Sequence, residues 1–480
     1  MKKTLISIAA IVMLGSCTKS TMIEQPKQEY EFTNGYPALS EIPQIYDELD
    51  YQRAVQSYLW ATPAVATYSF IEGLKRDYKA DMSTVNIWEN SASPKTVVLT
   101  GNSQSIYSVG YFDLSETGPM VLDIPENLLG MVNDIWYSPI TDLGLAGPDR
   151  GQGGKYLIVP PHYEGELPEG YHTFQSSTYL NIWLVRGFKG KDGSSPVNSL
   201  KQIQTYPLNK KDHPPKMKYK MVSNINADLT FPTDERFFEQ LSNIVSKENI
   251  RDIDLSYLGM LQTLGIESGK PFTPNEKQKS IFVKAAKTGN AMSRAIAYSS
   301  RNEQKSPYEN SQWEWIFLTE NPNFYTPNYL DLEARLTYTH QACFTANAMV
   351  LKMEGIGSQY IAAYKDNEGV WLDGAKNYKL TLPPNVPVRN FWSLMVYDAD
   401  TRSMVVTDTQ KAGIDSYGNV QKNKDGSIDL YMGPDAPEGL ESNWVKTDKT
   451  TGFFVYLRLF GPEKEFMDKT WRPSEIQLIK

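Results

Sequence analysis

Cysteine is almost missing from this 480-residue chain: Cys17 and Cys343 are the only two. With so few thiols neither a disulfide framework nor a CxxC metal site can be built. Histidine is nearly as scarce, at four positions, His162, His172, His213 and His340. No H-E-x-x-H, nucleophile elbow or Ser-His-Asp order occurs, which removes the commonest hydrolase signatures. Clusters of Lys and Arg are absent, so phosphate backbones find no matching surface and nucleic acid is excluded as a partner. After the first residues no apolar run approaches the roughly 18 residues that cross a membrane. No repeat of propeller or solenoid length is present.

What is present begins at the N-terminus. Lys2 and Lys3 precede an apolar run from Leu5 to Leu14, followed by Gly15, Ser16 and Cys17. This resembles the signal peptide and lipobox of a bacterial lipoprotein, residues 1–16 being the leader and Cys17 the lipidated residue. Such a stretch is too short and wrongly flanked to remain as a span. Several acyl chains on one residue would hold a protein at a membrane almost irreversibly. Without the leader 46 basic residues face 56 acidic ones, a net charge of −10. Because Thr18 rather than Asp follows Cys17, the expected location is the outer membrane, facing the periplasm. Cys343, between Ala342 and Phe344, reads as a buried thiol.

The rest is too long for one core. Residues 17–44 are polar with scattered Pro and Gly and read as a lipidated tether. Ala54, Tyr58, Leu59, Ala61, Ala64 and Tyr68 form a helical stripe, interrupted at Pro63. From Lys95 to Arg186 short apolar runs alternate with turn residues, among them Met120-Val121-Leu122, Tyr156-Leu157-Ile158-Val159 and Ile182-Trp183-Leu184-Val185, which predicts a β-sandwich over 45–228. Residues 229–350 read as helical. Phe237, Phe238, Leu241, Ile244 and Val245 share one helix face with Thr233 as cap, and Thr273, Pro274 and Glu276 form a capping box for a helix that Gly289 would stop. These faces are expected to pack on the flanking sheets. From 351 to 480 strands return, with Val370-Trp371-Leu372, Phe391 to Tyr397, an Asp425-Gly426 hairpin turn and Phe453 to Leu459, where Arg458 breaks the apolar pattern. The expected fold is multi-domain, mainly β with a helical insert.

Several phrases carry a resemblance. Gly147 through Leu157, then Pro160-Pro161 and Arg186-Gly187-Phe188, resemble the DUF1254 domain. Phe391-Trp392-Ser393, Val396-Tyr397-Asp398, Asp425 to Asp429, Gly433 to Gly439, Asn443-Trp444, Arg458 to Pro462 and Lys469 to Pro473 are similar to the DUF1214 domain. The resemblance implies an immunoglobulin-like N-terminal β-sandwich, a helical middle domain and a C-terminal jelly-roll-like β-sandwich. It implies no activity, since these families are defined without one. Gln104 stands where many relatives are expected to hold an acid, so any acid–base role of that carboxylate is lost here.

Candidate chemistry is sparse. In the Gly147 to Lys155 stretch Asp149, Arg150 and Lys155 could contact a ligand, yet a P-loop would need Gly at 149 and Ser or Thr at 156. His162 and His172 flank Glu164, Glu166 and Glu169 without a known ligand spacing and read as loop residues, so no metal or other cofactor is assigned. Asn423, Asp425, Ser427 and Asp429 alternate like a calcium loop, but Pro434 occupies the position of its last carboxylate. Trp88 and Trp444, flanked by polar residues, are the tryptophans expected at the surface, where a ring can stack on a sugar. Arg458 and Arg389 need a carboxylate or a cavity; Asp398 or Asp429 are the expected partners of Arg458.

These features suggest an envelope lipoprotein that binds a saccharide or another polar small molecule in an interdomain cleft. A hydrolase or lyase acting on glycans and a structural or assembly protein of the envelope are the alternatives. Replacing Cys17→Ala is expected to move the protein from the membrane to the soluble fraction on cell fractionation; continued retention would defeat the lipoprotein reading.

Overall fold

The computed structural model describes residues 29–188, 194–351, 354–355 and 357–479. The leader, Cys17 and the first part of the tether lie outside the described residues. Among those described, no helix is long and apolar enough to cross a membrane. Two compact units divide the chain, residues 1–49 and 50–480. In the first, Phe32–Thr33 pairs with Tyr36–Pro37. The tight turn between them is Asn34-Gly35, both at positive φ, as a two-residue hairpin requires.

The second unit starts within the Ile42–Asp77 helix, 36 residues long with Pro63 inside it. The sequence predicts a break at Pro63, because proline lacks the amide that bonds the Leu59 carbonyl. The helix continues because its surroundings hold it: residues from Ala54 to Leu74 are buried on nearly every side. The Thr67 hydroxyl also donates to the Pro63 carbonyl at 3.1 Å.

Six strands in the order Lys218–Met221, Thr84–Ile87, Ile106–Asp113, Leu180–Gly187, Leu129–Asp134, Pro139–Gly144 form one sheet. A four-stranded sheet runs His172–Gln175, Gly154–Val159, Met120–Ile124, Gln204–Pro207. Alternation sorts their side chains: Leu122, Tyr156, Ile158, Phe112, Trp183 and Val185 fill the layer between the sheets, while Val121, Leu157 and Val159 gather on the opposite side of the smaller one. Trp183 lies across Gly110, its register partner, and a Cβ there would come within 2.3 Å of the indole.

The other face of the six-stranded sheet, with Val109, Tyr111, Ile182 and Met131, joins a larger core shared with the helices and the C-terminal strands. There a five-stranded sheet runs Trp313–Trp315, Ser358–Ala363, Phe453–Pro462, Val388–Asp398, Gly413–Asp415. A second, four-stranded sheet runs Trp444–Lys446, Ile428–Gly433, Tyr378–Leu382, Gln477–Leu478. Phe453 meets Tyr378 between them, ring centres 5.6 Å apart. Asp425-Gly426 does make a tight turn, with the Gly426 amide bonded to the Asn423 carbonyl. It leads into Ile428–Gly433 but is not flanked by a strand on its other side. Val370-Trp371-Leu372 contributes only an isolated bridge from Trp371 to Lys365, and Val370 and Trp371 are exposed.

The helical insert packs on the sheets, where Tyr298 meets Phe454 at 5.7 Å, and also on the long helix. Phe237 of Arg236–Lys247 stacks on Tyr58 at 4.0 Å, and Tyr257 of Leu255–Thr263 stacks on Trp60 at 4.7 Å. The five predicted apolar residues of Arg236–Lys247 are buried, but the helix begins after Glu235, which makes no side-chain cap, rather than at a Thr233 cap. The next helix is Glu276–Tyr298, capped by Asn275 in a box with Gln278, two residues beyond the predicted box. It runs through Gly289 because that glycine faces the Tyr58 ring: a Cβ would approach the ring within 2.5 Å. A residue chosen for close packing was thus mistaken for a helix stop.

Gly110→Val is expected to destabilise the protein by about 1–3 kcal/mol, since Trp183 has no room to give. Chemical denaturation measures it, and an unchanged midpoint would show that the indole can leave Gly110 without cost.

Candidate functional site

Strand alternation decides what lines one cavity of the molecule. On Leu180–Gly187, Leu184 and Arg186 share a face, and Arg186 lies opposite Tyr107. On Phe453–Pro462, Tyr456 and Arg458 share a face, and Arg458 lies between Tyr360 and Ser393 in the register. These residues, other than Ser393, line a cavity of about 170 Å³ together with Phe70, Trp88, Thr100, Met131, Tyr338 and Phe344. No Asp, Glu, His or Lys is among the described residues that line it.

Arg458 is 5 % exposed. It donates to the Tyr397 hydroxyl and, at 2.9 Å, to the Thr100 carbonyl. Its guanidinium also lies 5.2 Å from the Tyr360 and Tyr456 ring centres. Burial pushes the Tyr397 hydroxyl up to about 12, so it is neutral near pH 7 and offers a dipole, not a countercharge. Arg186 is 9 % exposed; its guanidinium lies 4.8 Å from the Phe188 ring and 5.4 Å from the Phe460 ring, and its buried Nε has no partner. Two residues of the lining, Thr100 at φ +39° and Phe344 at φ +58°, hold left-handed backbone. For β-branched Thr100 that costs about 1–3 kcal/mol, a strain that tends to gather at functional sites.

Models of two families match the chain, each described as a protein of unknown function: DUF1254 over residues 82–207 and DUF1214 over 357–464. The chain carries one segment that matches each family. Thr100, Tyr107 and Arg186 of the cavity come from the DUF1254 segment, and Ser358, Tyr360, Tyr456 and Arg458 from the DUF1214 segment. The crystal structure of the VPA0106 protein from Vibrio parahaemolyticus is similar, with a TM-score of 0.54 at 17% identity, covering 90% of this chain and 100% of that one. That likeness extends to the fold alone. A putative uncharacterised protein from Burkholderia cenocepacia aligns over 92% of this chain and 98% of its own, with 11% identity and a TM-score of 0.40. No curated protein matches.

The residues that sequence reasoning singled out are scattered over this DUF1254/DUF1214 chain. Trp88 is not at the surface: it is 4 % exposed, its indole N–H donates to the Thr96 hydroxyl at 3.2 Å, and it borders the cavity. Trp444 is half-buried and donates to the Gly433 carbonyl at 3.0 Å. In the glycine-rich DUF1254 loop Asp149 is buried and occupied, accepting from the Tyr156 hydroxyl at 2.5 Å and the Gly153 amide at 3.0 Å. Arg150 is exposed, and Lys155 lies 4.0 Å from Asp123. Neither Asp398 nor Asp429 partners Arg458. Asp398 caps its own turn through the Asp400 and Thr401 amides, and Asp429 accepts from the Thr381 hydroxyl. Arg389 is exposed beside Gly355.

His172 packs its ring 5.3 Å from that of Tyr156, and His162 sits in a loop at φ +55°. Among the described residues no group of three or more His, Cys, Asp or Glu could hold a metal ion. Gln104 donates to the Ser103 hydroxyl at 3.0 Å and does not line the cavity, although Asn102 beside it does. Arg186 was missed. The signal that marked Arg458, a charge on an otherwise apolar strand, applies to it equally.

Nucleophilic chemistry is poorly provided for. Burial pushes the Cys343 thiol up to about 12, and its S–H points at the Leu99 carbonyl, 3.7 Å away. The Ser358 hydroxyl donates to the Tyr360 hydroxyl at 2.7 Å rather than to a base. With Cys17→Ala leaving Cys343 as the only thiol, alkylation by iodoacetamide at pH 8 is expected to be more than about a hundredfold slower than for an exposed cysteine, because so little thiolate is present. Equal rates before and after denaturation would contradict this.

Proposed function

We propose that this protein binds a small, mainly apolar molecule in the cavity between its DUF1254 and DUF1214 segments. The observation that carries the reading is the composition of the lining, which is aromatic and aliphatic with two arginines as its charged groups. At about 170 Å³ the cavity is comparable to an engineered apolar cavity of roughly 150 Å³ that binds benzene. A single ring or a short branched chain fits such a volume.

A saccharide suits the lining less well, since each buried hydroxyl left without a partner costs about 1–3 kcal/mol. Glycoside hydrolysis by the usual route needs two carboxylates about 5–9.5 Å apart, and the described lining supplies none. Binding is therefore preferred to the hydrolase or lyase alternative, and the ring-lined cavity favours it over a purely structural or assembly role. We place this activity at the cell envelope, tethered through lipid on Cys17. The finer description of the two β regions as immunoglobulin-like and jelly-roll-like belongs to the same reading, supported by the motifs that carry the family resemblance.

Thermal-shift measurements with single-ring compounds are expected to raise the melting temperature of the wild type, by linkage worth about 2.7 kcal/mol at a hundred times Kd. Leu184→Trp, which fills the cavity, should abolish the rise. A response to monosaccharides that survives Leu184→Trp would place binding elsewhere.

A further inference from the structure

We propose that the ligand of this cavity is an organic carboxylate whose charged group sits against Arg186 and Arg458 while its apolar body occupies the ring-lined space. The inference rests on the cavity being a binding site and adds the charge of what enters it. Four arginines are nearly buried among the described residues: Arg186, Arg335, Arg402 and Arg458. Three have backbone acceptors: Arg335 bonds the Trp60 carbonyl at 3.0 Å, Arg402 the His340 carbonyl at 3.3 Å, and Arg458 the Thr100 carbonyl at 2.9 Å. Arg186 has the Phe188 and Phe460 rings beside its guanidinium and a buried Nε with no partner. Elsewhere the same fold neutralises a half-buried arginine in the ordinary way, with Arg251 2.6 Å from Asp254 and 3.8 Å from Asp134.

Two cations of like sign therefore line one small space with no carboxylate among its described residues. An uncompensated buried charge is costly, and a second one nearby raises the cost. A bound anion removes it, and a guanidinium presents the planar fork that matches a carboxylate. The free protein then carries an electrostatic strain that binding relieves, a common exchange of stability for function.

The test uses the full chain carrying Cys17→Ala at pH 7.5, with benzoate and benzyl alcohol as probes of the same shape and different charge. Isothermal titration is expected to show benzoate binding at least tenfold more tightly than the alcohol. Arg186→Met should remove that preference and melt at a higher temperature than the wild type without ligand. Arg186→Lys, which keeps the charge without the fork, should retain part of the preference. Equal wild-type affinities for the two probes would overturn the charge inference and leave the cavity reading standing. Binding of neither probe would overturn both. An Arg186→Met protein that melts lower and still prefers benzoate would make Arg186 a packing residue and end the proposal.

Discussion

The hydrogen bond from Arg458 to the Thr100 carbonyl joins residues 358 positions apart, and the site depends on it. A guanidinium on the central strand of an apolar sheet must find acceptors, and the Val98 to Asn102 segment brings one by adopting left-handed backbone at Thr100. The Tyr397 hydroxyl reinforces the same loop by donating to the Gly101 carbonyl at 2.8 Å. In this way a loop from the DUF1254 segment is pinned onto the DUF1214 sheet. The cavity is the space left beside that junction, and its walls are the faces that strand alternation turned toward it.

The long helix Ile42–Asp77 makes this arrangement possible from behind. Most of its residues from Ala54 to Leu74 are buried, in one core shared with the sheets and the other helices. Phe70 reaches from it to Phe344 at 5.1 Å, and both rings belong to the cavity wall. Aromatic packing therefore supports part of the lining. A cavity lined by aromatic rings and two cations is unlike the polar, aromatic-platform site that composition suggests. Trp88 is part of that wall, donating its indole N–H inward rather than offering a face to solvent.

Much of the fold was legible because periodicity is a local property. Met120–Ile124, Gly154–Val159, Leu180–Gly187 and Phe453–Pro462 stand out in sequence as short apolar runs between turn residues, and the face of Arg236–Lys247 repeats at helical spacing. The misreadings share a cause: Pro63, Gly289 and Trp88 each follow a local rule that a distant contact overrides. Burial holds the helix through Pro63, the Tyr58 ring occupies the space that makes Gly289 necessary, and Thr96 takes the hydrogen bond that would have gone to water. Arg458 was recognisable as an anomaly, yet its partners were not, because carbonyls and tyrosines carry no charge by which to be paired in advance.

The sequence by itself determined the two family segments, the mainly β character and the identity of a charge that could not be left alone on its strand. These follow from residue types and spacings, which act over a few residues at a time. Only the tertiary structure decided that Arg186 and Arg458 share one cavity, that Asp398 is taken up by its own turn, and that Asp429 and Asp149 are held by the Thr381 and Tyr156 hydroxyls. Those outcomes depend on which faces of distant strands meet, and the energy that selects them is burial summed over the whole core, of which no single stretch of sequence holds more than a part.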